Sequence, residues 1–114
     1  MGVIVWPTSP PLGGKTKDEI IGLLRQALHG RVEAAYIFGS LARGELHSTS
    51  DVDLIVVKET GKPFVERCRD FDDLWKIFNR LDLLVYTPAE FKAQLESKTP
   101  GFWKSVAEEV QQII

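Results

Sequence analysis

Apolar residues recur along this chain in two rhythms, and the switches between them mark its elements. Ile20, Ile21, Leu23, Leu24, Ala27 and Leu28 keep the three-and-four spacing of a helix with one buried face. Thr16 opens that helix, Glu19 three residues later completes a capping box, and Gly30 suits the stop. Val32 to Phe38 predicts a buried strand, and Asp51 to Val57 a second. "KETGKP" is a polar turn. From Phe64, the positions Val65, Cys68, Phe71, Leu74, Trp75 and Phe78 return to helical spacing, which makes the charges of "ERCRDFDD" a solvated face. "LDLLVY", Leu81 to Tyr86, predicts a third strand, and Pro88 fits the first turn of a short helix carrying Phe91 and Leu95. Phe102, Trp103, Val106 and Val110 predict a last helix, while "VQQII" suits a closing strand equally well.

"PTSPPLGGK" is a loop by composition, so residues 1–15 are expected to form an N-terminal arm and residues 16–114 the domain. A chain of 114 residues is long enough for one core and too short for two. The expected class is α+β: a small mixed β-sheet with helices packed mainly on one face.

Composition narrows the setting more than the chemistry. Net charge is −2 with no Lys/Arg cluster, which argues against an extended nucleic-acid surface. One cysteine, Cys68, allows no internal disulfide. No apolar run has the length of a membrane span, and "MGVIVWPTSPP" lacks the basic start of a signal peptide, so a cytoplasmic protein is expected.

Against that ordinary background, "GSLARGELHSTSDVDLIVV" stands out. Asp51 and Asp53 share one face of a strand that runs straight into the core, where like charges repel. The second and third strands are joined by a helical stretch, as parallel neighbours are, and parallel neighbours start at the same sheet edge. Asp82, at the head of the third strand, therefore arrives beside Asp51 and Asp53, with strands about 4.8 Å apart. If the first strand is antiparallel to the second, it ends at that edge too, in Gly39-Ser40. Three converging carboxylates suit Mg²⁺, and an ion pair roughly 3.5–4 Å apart is the arrangement used in phosphoryl and nucleotidyl transfer. Gly39 permits close approach of a phosphate, and Ser40 offers an amide and a hydroxyl. An isolated D-x-D is usually a polar strand end and a lone Gly-Ser a turn; their fixed spacing and the third acid point to a site for Mg²⁺ with a polyphosphate.

These residues resemble the signature of the nucleotidyltransferase superfamily that includes DNA polymerase beta and kanamycin nucleotidyltransferase. The pattern is Gly39-Ser40, the ten residues "LARGELHSTS", then Asp51-Val52-Asp53, with Asp82 in "LDLLVYTPAEF" as the third acid. The tighter form "GSLARG…SDVDL" is similar to the minimal nucleotidyltransferases, which are paired with HEPN-domain proteins in toxin–antitoxin systems. The resemblance implies the nucleotidyltransferase fold, two Mg²⁺ ions and ATP as substrate. It implies that Asp51 and Asp53 bind both metals, and that Asp82 holds the catalytic metal and helps deprotonate the acceptor hydroxyl. Gly39 and Ser40 would hold the β- and γ-phosphates, with Arg43 close enough to contact phosphate or partner. The implied reaction moves AMP onto a hydroxyl, in the minimal antitoxins a tyrosine of the HEPN partner. Two alternatives stay open: a non-catalytic module that neutralises its partner by docking, and an enzyme acting on a small-molecule hydroxyl, for which a homodimer would supply a composite acceptor site.

Other signals carry less. "VIVWPTSPPLGGKT" imitates a phosphate-binding P-loop, but Ser9 stands where the pattern needs glycine, and Pro10 and Pro11 remove amides the loop would use. His29 and His47 have no metal-ligand spacing and read as surface residues. Cys68, Phe71, Trp75 and Phe78 read as core.

Overall fold

The computed structural model describes residues 15–45, 51–97 and 101–114. Residues 1–14 of the N-terminal arm, with all but the last two residues of the P-loop imitation, and His47 fall outside them. Helix α1 (Lys17–Leu28) is capped as expected: Thr16 Oγ1 accepts from the Glu19 amide, and Glu19 Oε1 accepts from the Thr16 amide, both at 3.1 Å. It stops at His29, with Gly30 beyond it at φ +73°, a left-handed conformation natural to glycine. Strand β1 (Ala34–Phe38) leads into a short helix α2 (Gly39–Arg43). Next come β2 (Val52–Val57), a 3₁₀ helix (Phe64–Phe71), α3 (Leu74–Ile77), β3 (Leu81–Tyr86), α4 (Pro88–Glu96), α5 (Phe102–Glu109) and β4 (Gln111–Gln112). The C-terminal stretch thus supplies both expected elements, a helix and then a strand.

The four strands form one mixed sheet in the order β3-β2-β1-β4. β1 is antiparallel to β2 and β4, and β2 is parallel to β3. Alternation along β2 and β3 sorts the side chains. Val52, Leu54, Val56, Leu81 and Val85 join the larger core with Ile20, Leu24, Leu28, Phe71 and Leu74 from α1, the 3₁₀ helix and α3. Each fully buried aliphatic side chain there contributes about 1.5–3 kcal/mol. On the other face a smaller cluster of Phe38, Ile55 and Val57 packs under Phe91 and Val106 of α4 and α5. The expected α+β arrangement holds, with most of the core on one face. No helix among the described residues is long and apolar enough to cross a membrane.

The stretch after "KETGKP" departs from expectation. A continuous α-helical stripe from Val65 to Phe78 is replaced by a 3₁₀ helix, a turn and one turn of α-helix. Three residues per turn shift which positions face inward. Val65 is 79% exposed and Cys68 only half-buried, whereas Arg67, read as part of a solvated face, is buried at 7%. Arg67 reaches the Lys62 carbonyl through Nε and the Val85 carbonyl through Nη1, and grips both oxygens of Glu90. Glu90 also accepts from the Thr87 amide, so one carboxylate caps α4 and neutralises a buried guanidinium. That pairing holds the Glu90 carboxyl down at about 2. Phe71 and Phe78 are core, as expected, and Trp75 packs against it.

Candidate active site

The site forms where three elements meet at one sheet edge. Antiparallel pairing sets Phe38 opposite Asp53, and parallel pairing sets Asp53 opposite Asp82. Both acids lie on the face opposite the larger core, because Val52, Leu54, Leu81 and Leu83 take the other side. Gly39 follows Phe38 directly and packs on Asp53. A Cβ built on Gly39 would overlap Asp53 Oδ2 and stand 3.3 Å from its Cγ. Its φ of +66° is a second reason for glycine. Ser40 follows in α2, half-buried.

The acids bear on one another electrostatically. The Asp53 carboxyl is pushed up to about 6, first by burial and then by the charge of Asp82, a hydrogen bond with Asp82 and the charge of Asp51, with Arg43 opposing. Asp51 precedes β2, half-buried, with Oδ1 3.9 Å from Arg80 Nη1. Among the described residues, no three acids stand close enough to form a ready-made metal cage. The donor set nonetheless fits a hard divalent cation: oxygen ligands, like charges pressed together, and a carboxyl raised by burial and by its acidic neighbours. Asp51, Asp53 and Asp82 are the residues that would hold it.

Arg43 is placed at the site but engaged elsewhere. Its Nε donates to Glu45 Oε2 and its Nη1 to Glu109 Oε2, each at 2.9 Å, which ties α2 to α5. Lys17 Nζ donates to the Ala42 carbonyl at 2.8 Å and fixes the same short helix from α1. The Gly39-Ser40 corner is therefore braced from both sides. His29 is exposed.

A cleft missed by sequence reasoning opens beside the acids. It holds about 450 Å³ and is lined by Phe38, Asp53, Phe64, Asp82, Leu84 and Tyr86, with Trp103 of α5 among the remaining walls. Alternation along β3 is the one signal for it: Asp82, Leu84 and Tyr86 share a face. Phe64 and Trp103 arrive from distant elements, each 5.2 Å from the Tyr86 ring centre.

Comparison with known proteins agrees with this geometry. A candidate nucleotidyltransferase from Sulfolobus solfataricus has a similar crystal structure, with a TM-score of 0.53 and 21% identity over 80% of this chain and 84% of that one, a likeness of fold. No curated protein sequence matches. Residues 18–113, nearly the whole domain, match the family described as polymerase beta nucleotidyltransferases. With the Gly39-Ser40 corner and the acids of β2 and β3 in their places, the chain belongs to that family.

Proposed function

We propose that the protein is a Mg²⁺-dependent nucleotidyltransferase that moves AMP from ATP onto a hydroxyl, that of a tyrosine on a HEPN-domain partner, and so acts as an antitoxin. The observation that carries this is the meeting of Gly39, Asp53 and Asp82 at one sheet edge. Gly39, lacking a side chain, lets the β- and γ-phosphates approach the backbone, and Ser40 donates to them from its amide and hydroxyl. Asp51, Asp53 and Asp82 would hold Mg²⁺, which would supply positive charge against the phosphates and the leaving group. The acceptor oxygen bonds to the α-phosphorus while the bond from that phosphorus to the oxygen bridging the β-phosphate breaks. Pyrophosphate leaves with the bridging oxygen, and the hydroxyl proton passes to Asp82. Above pH 6 the Asp53 carboxyl is mostly ionised, the form a metal requires.

The test is transfer from ATP labelled on its α-phosphate, with Mg²⁺, in an extract of the native host, comparing wild type with Asp53→Asn. A labelled protein band present only with wild type is the expected result, and its mass identifies the partner. A small labelled product would move the acceptor to a small-molecule hydroxyl. No label, in an extract where a partner co-purifies, would replace catalysis by docking.

A further inference from the structure

We infer that Arg43 is a latch between the phosphate corner and α5: without nucleotide it holds Glu109, and a bound polyphosphate takes it and frees the end of that helix. The inference rests on the nucleotidyl-transfer reading and adds a conformational response to it. Arg43 ends α2, four residues and about 6 Å along the axis from Gly39. Its charge already acts on Asp53 across the site. Yet its Nε donates to Glu45 and its Nη1 to Glu109, each at 2.9 Å. The guanidinium and both carboxylates are at least a third exposed, so neither pair is strong. A polyphosphate at Gly39-Ser40 offers several charged oxygens to the same guanidinium, a stronger partner than either glutamate.

The end of α5 depends on that contact. Glu109 is the last residue of the helix, where the axial dipole disfavours an acid, and no basic residue stands in its last turn. Arg43 supplies the missing positive charge from α2. Losing it leaves Glu108 and Glu109 together against the dipole, and the last turn frays. The hydrogen bond that reads this turn runs from the Val110 amide to the Val106 carbonyl, at 2.8 Å. Trp103, near the other end of α5, walls the cleft beside Asp53 and Asp82, so the tie that nucleotide releases is also one that holds this wall. Because one cation serves two partners, the coupling is reciprocal. Nucleotide weakens the helix end by the factor by which Glu109 weakens nucleotide binding. For exposed ion pairs that factor is about two to five.

The experiment uses the full chain with α,β-methylene-ATP and Mg²⁺, comparing wild type, Glu109→Gln and Glu108→Gln. Glu108→Gln removes the same charge at an exposed position one residue away, and so accounts for any long-range effect of charge. By calorimetry, Glu109→Gln is expected to bind the analogue about two- to fivefold tighter than Glu108→Gln. By amide hydrogen exchange, the analogue is expected to speed Val110 by a similar factor in wild type and in Glu108→Gln. In Glu109→Gln it should leave the Val110 rate unchanged. Equal affinities in the two variants would overturn the latch, since a merely structural Glu109 moves the exchange rate and not the binding. So would a Val110 rate indifferent to the analogue while the Gly39 and Ser40 amides shift in nitrogen-15 spectra. Silence at Gly39 and Ser40 would instead remove the nucleotidyl-transfer reading, and the latch with it.

Discussion

Adding one methyl group at Gly39 separates two demands that the same position meets. Gly30 and Gly39 both hold left-handed backbone, at φ +73° and +66°, yet a Cβ on Gly30 meets nothing within 4 Å, whereas one on Gly39 runs into the Asp53 carboxylate. Gly30→Ala therefore carries only the backbone penalty, about 1–2 kcal/mol. Gly39→Ala carries the same penalty plus the overlap. Carbon and oxygen need a little over 3 Å, so the Asp53 carboxylate must retreat by roughly 1 Å, at a further cost of about 1–3 kcal/mol by comparison with overpacked cores. A misplacement of that size at a catalytic group reduces turnover by about a hundredfold. Urea denaturation of both variants, read by circular dichroism, gives the stability difference, and transfer of labelled AMP gives the activity. Equal destabilisation of the two variants, or a Gly39→Ala protein that transfers at the wild-type rate, would refute the close packing of Gly39 on Asp53.

Three more perturbations follow from the charges. Asp53 binds its proton more tightly folded than unfolded, so the stability that protonation gives is full below about pH 4 and is lost as pH rises through about 6. Asp53→Asn should accordingly be inactive yet more stable than wild type at pH 8 by about 1–2 kcal/mol, the full shift being discounted because solvent reaches half of the carboxyl, and the two should converge below pH 4; a gap independent of pH would contradict this. Glu90→Ala strands the Arg67 guanidinium and opens the cap of α4. With Glu90 44% exposed on its side chain, the loss is discounted from that of a fully buried pair to about 2–3 kcal/mol, measured by urea midpoint. Since the Glu90 carboxyl is depressed to about 2, this contribution is present above about pH 4.5 and fades as pH falls toward 2, and wild type and variant should converge there. Arg43→Ala breaks only exposed pairs with Glu45 and Glu109 and should leave the urea midpoint close to that of wild type. A Michaelis constant for ATP raised at least fivefold in the same variant would show that Arg43 also serves the nucleotide.

Local chemistry made most of the fold legible. The capping box at Thr16 and Glu19, the alternation of Leu81 to Tyr86 and the apolar face of α1 each act within a few residues, and each stands where expected. The acids were legible because parallel strands joined by a crossover leave little choice of edge. What was hidden depends on distant partners. Arg67 looks like its neighbour Arg69 until Glu90, 23 residues on, folds against it. "TPAE" shows the α4 cap, but not that its glutamate has a second task. The 3₁₀ winding of Phe64–Phe71 follows a packing demand to which a 3.6-residue periodicity is blind. The aromatic cleft draws on β1, β3, α5 and the start of the 3₁₀ helix, and no single stretch announces it.

The alternation in β3 has a consequence for the evolution of the site. A slip of one residue in its pairing with β2 would drive Asp82 into the larger core and turn Leu81 and Val85 out of it toward the cleft face, at a cost of several kcal/mol. A slip of two would keep the faces but carry Asp82 about 6.6 Å from its place opposite Asp53. The aliphatic residues on the reverse side of β3 therefore act as an alignment gauge for carboxylates they never touch. Substitutions among them would tune the spacing of Asp53 and Asp82 from behind the sheet, a route to altered activity that leaves both carboxylates unchanged.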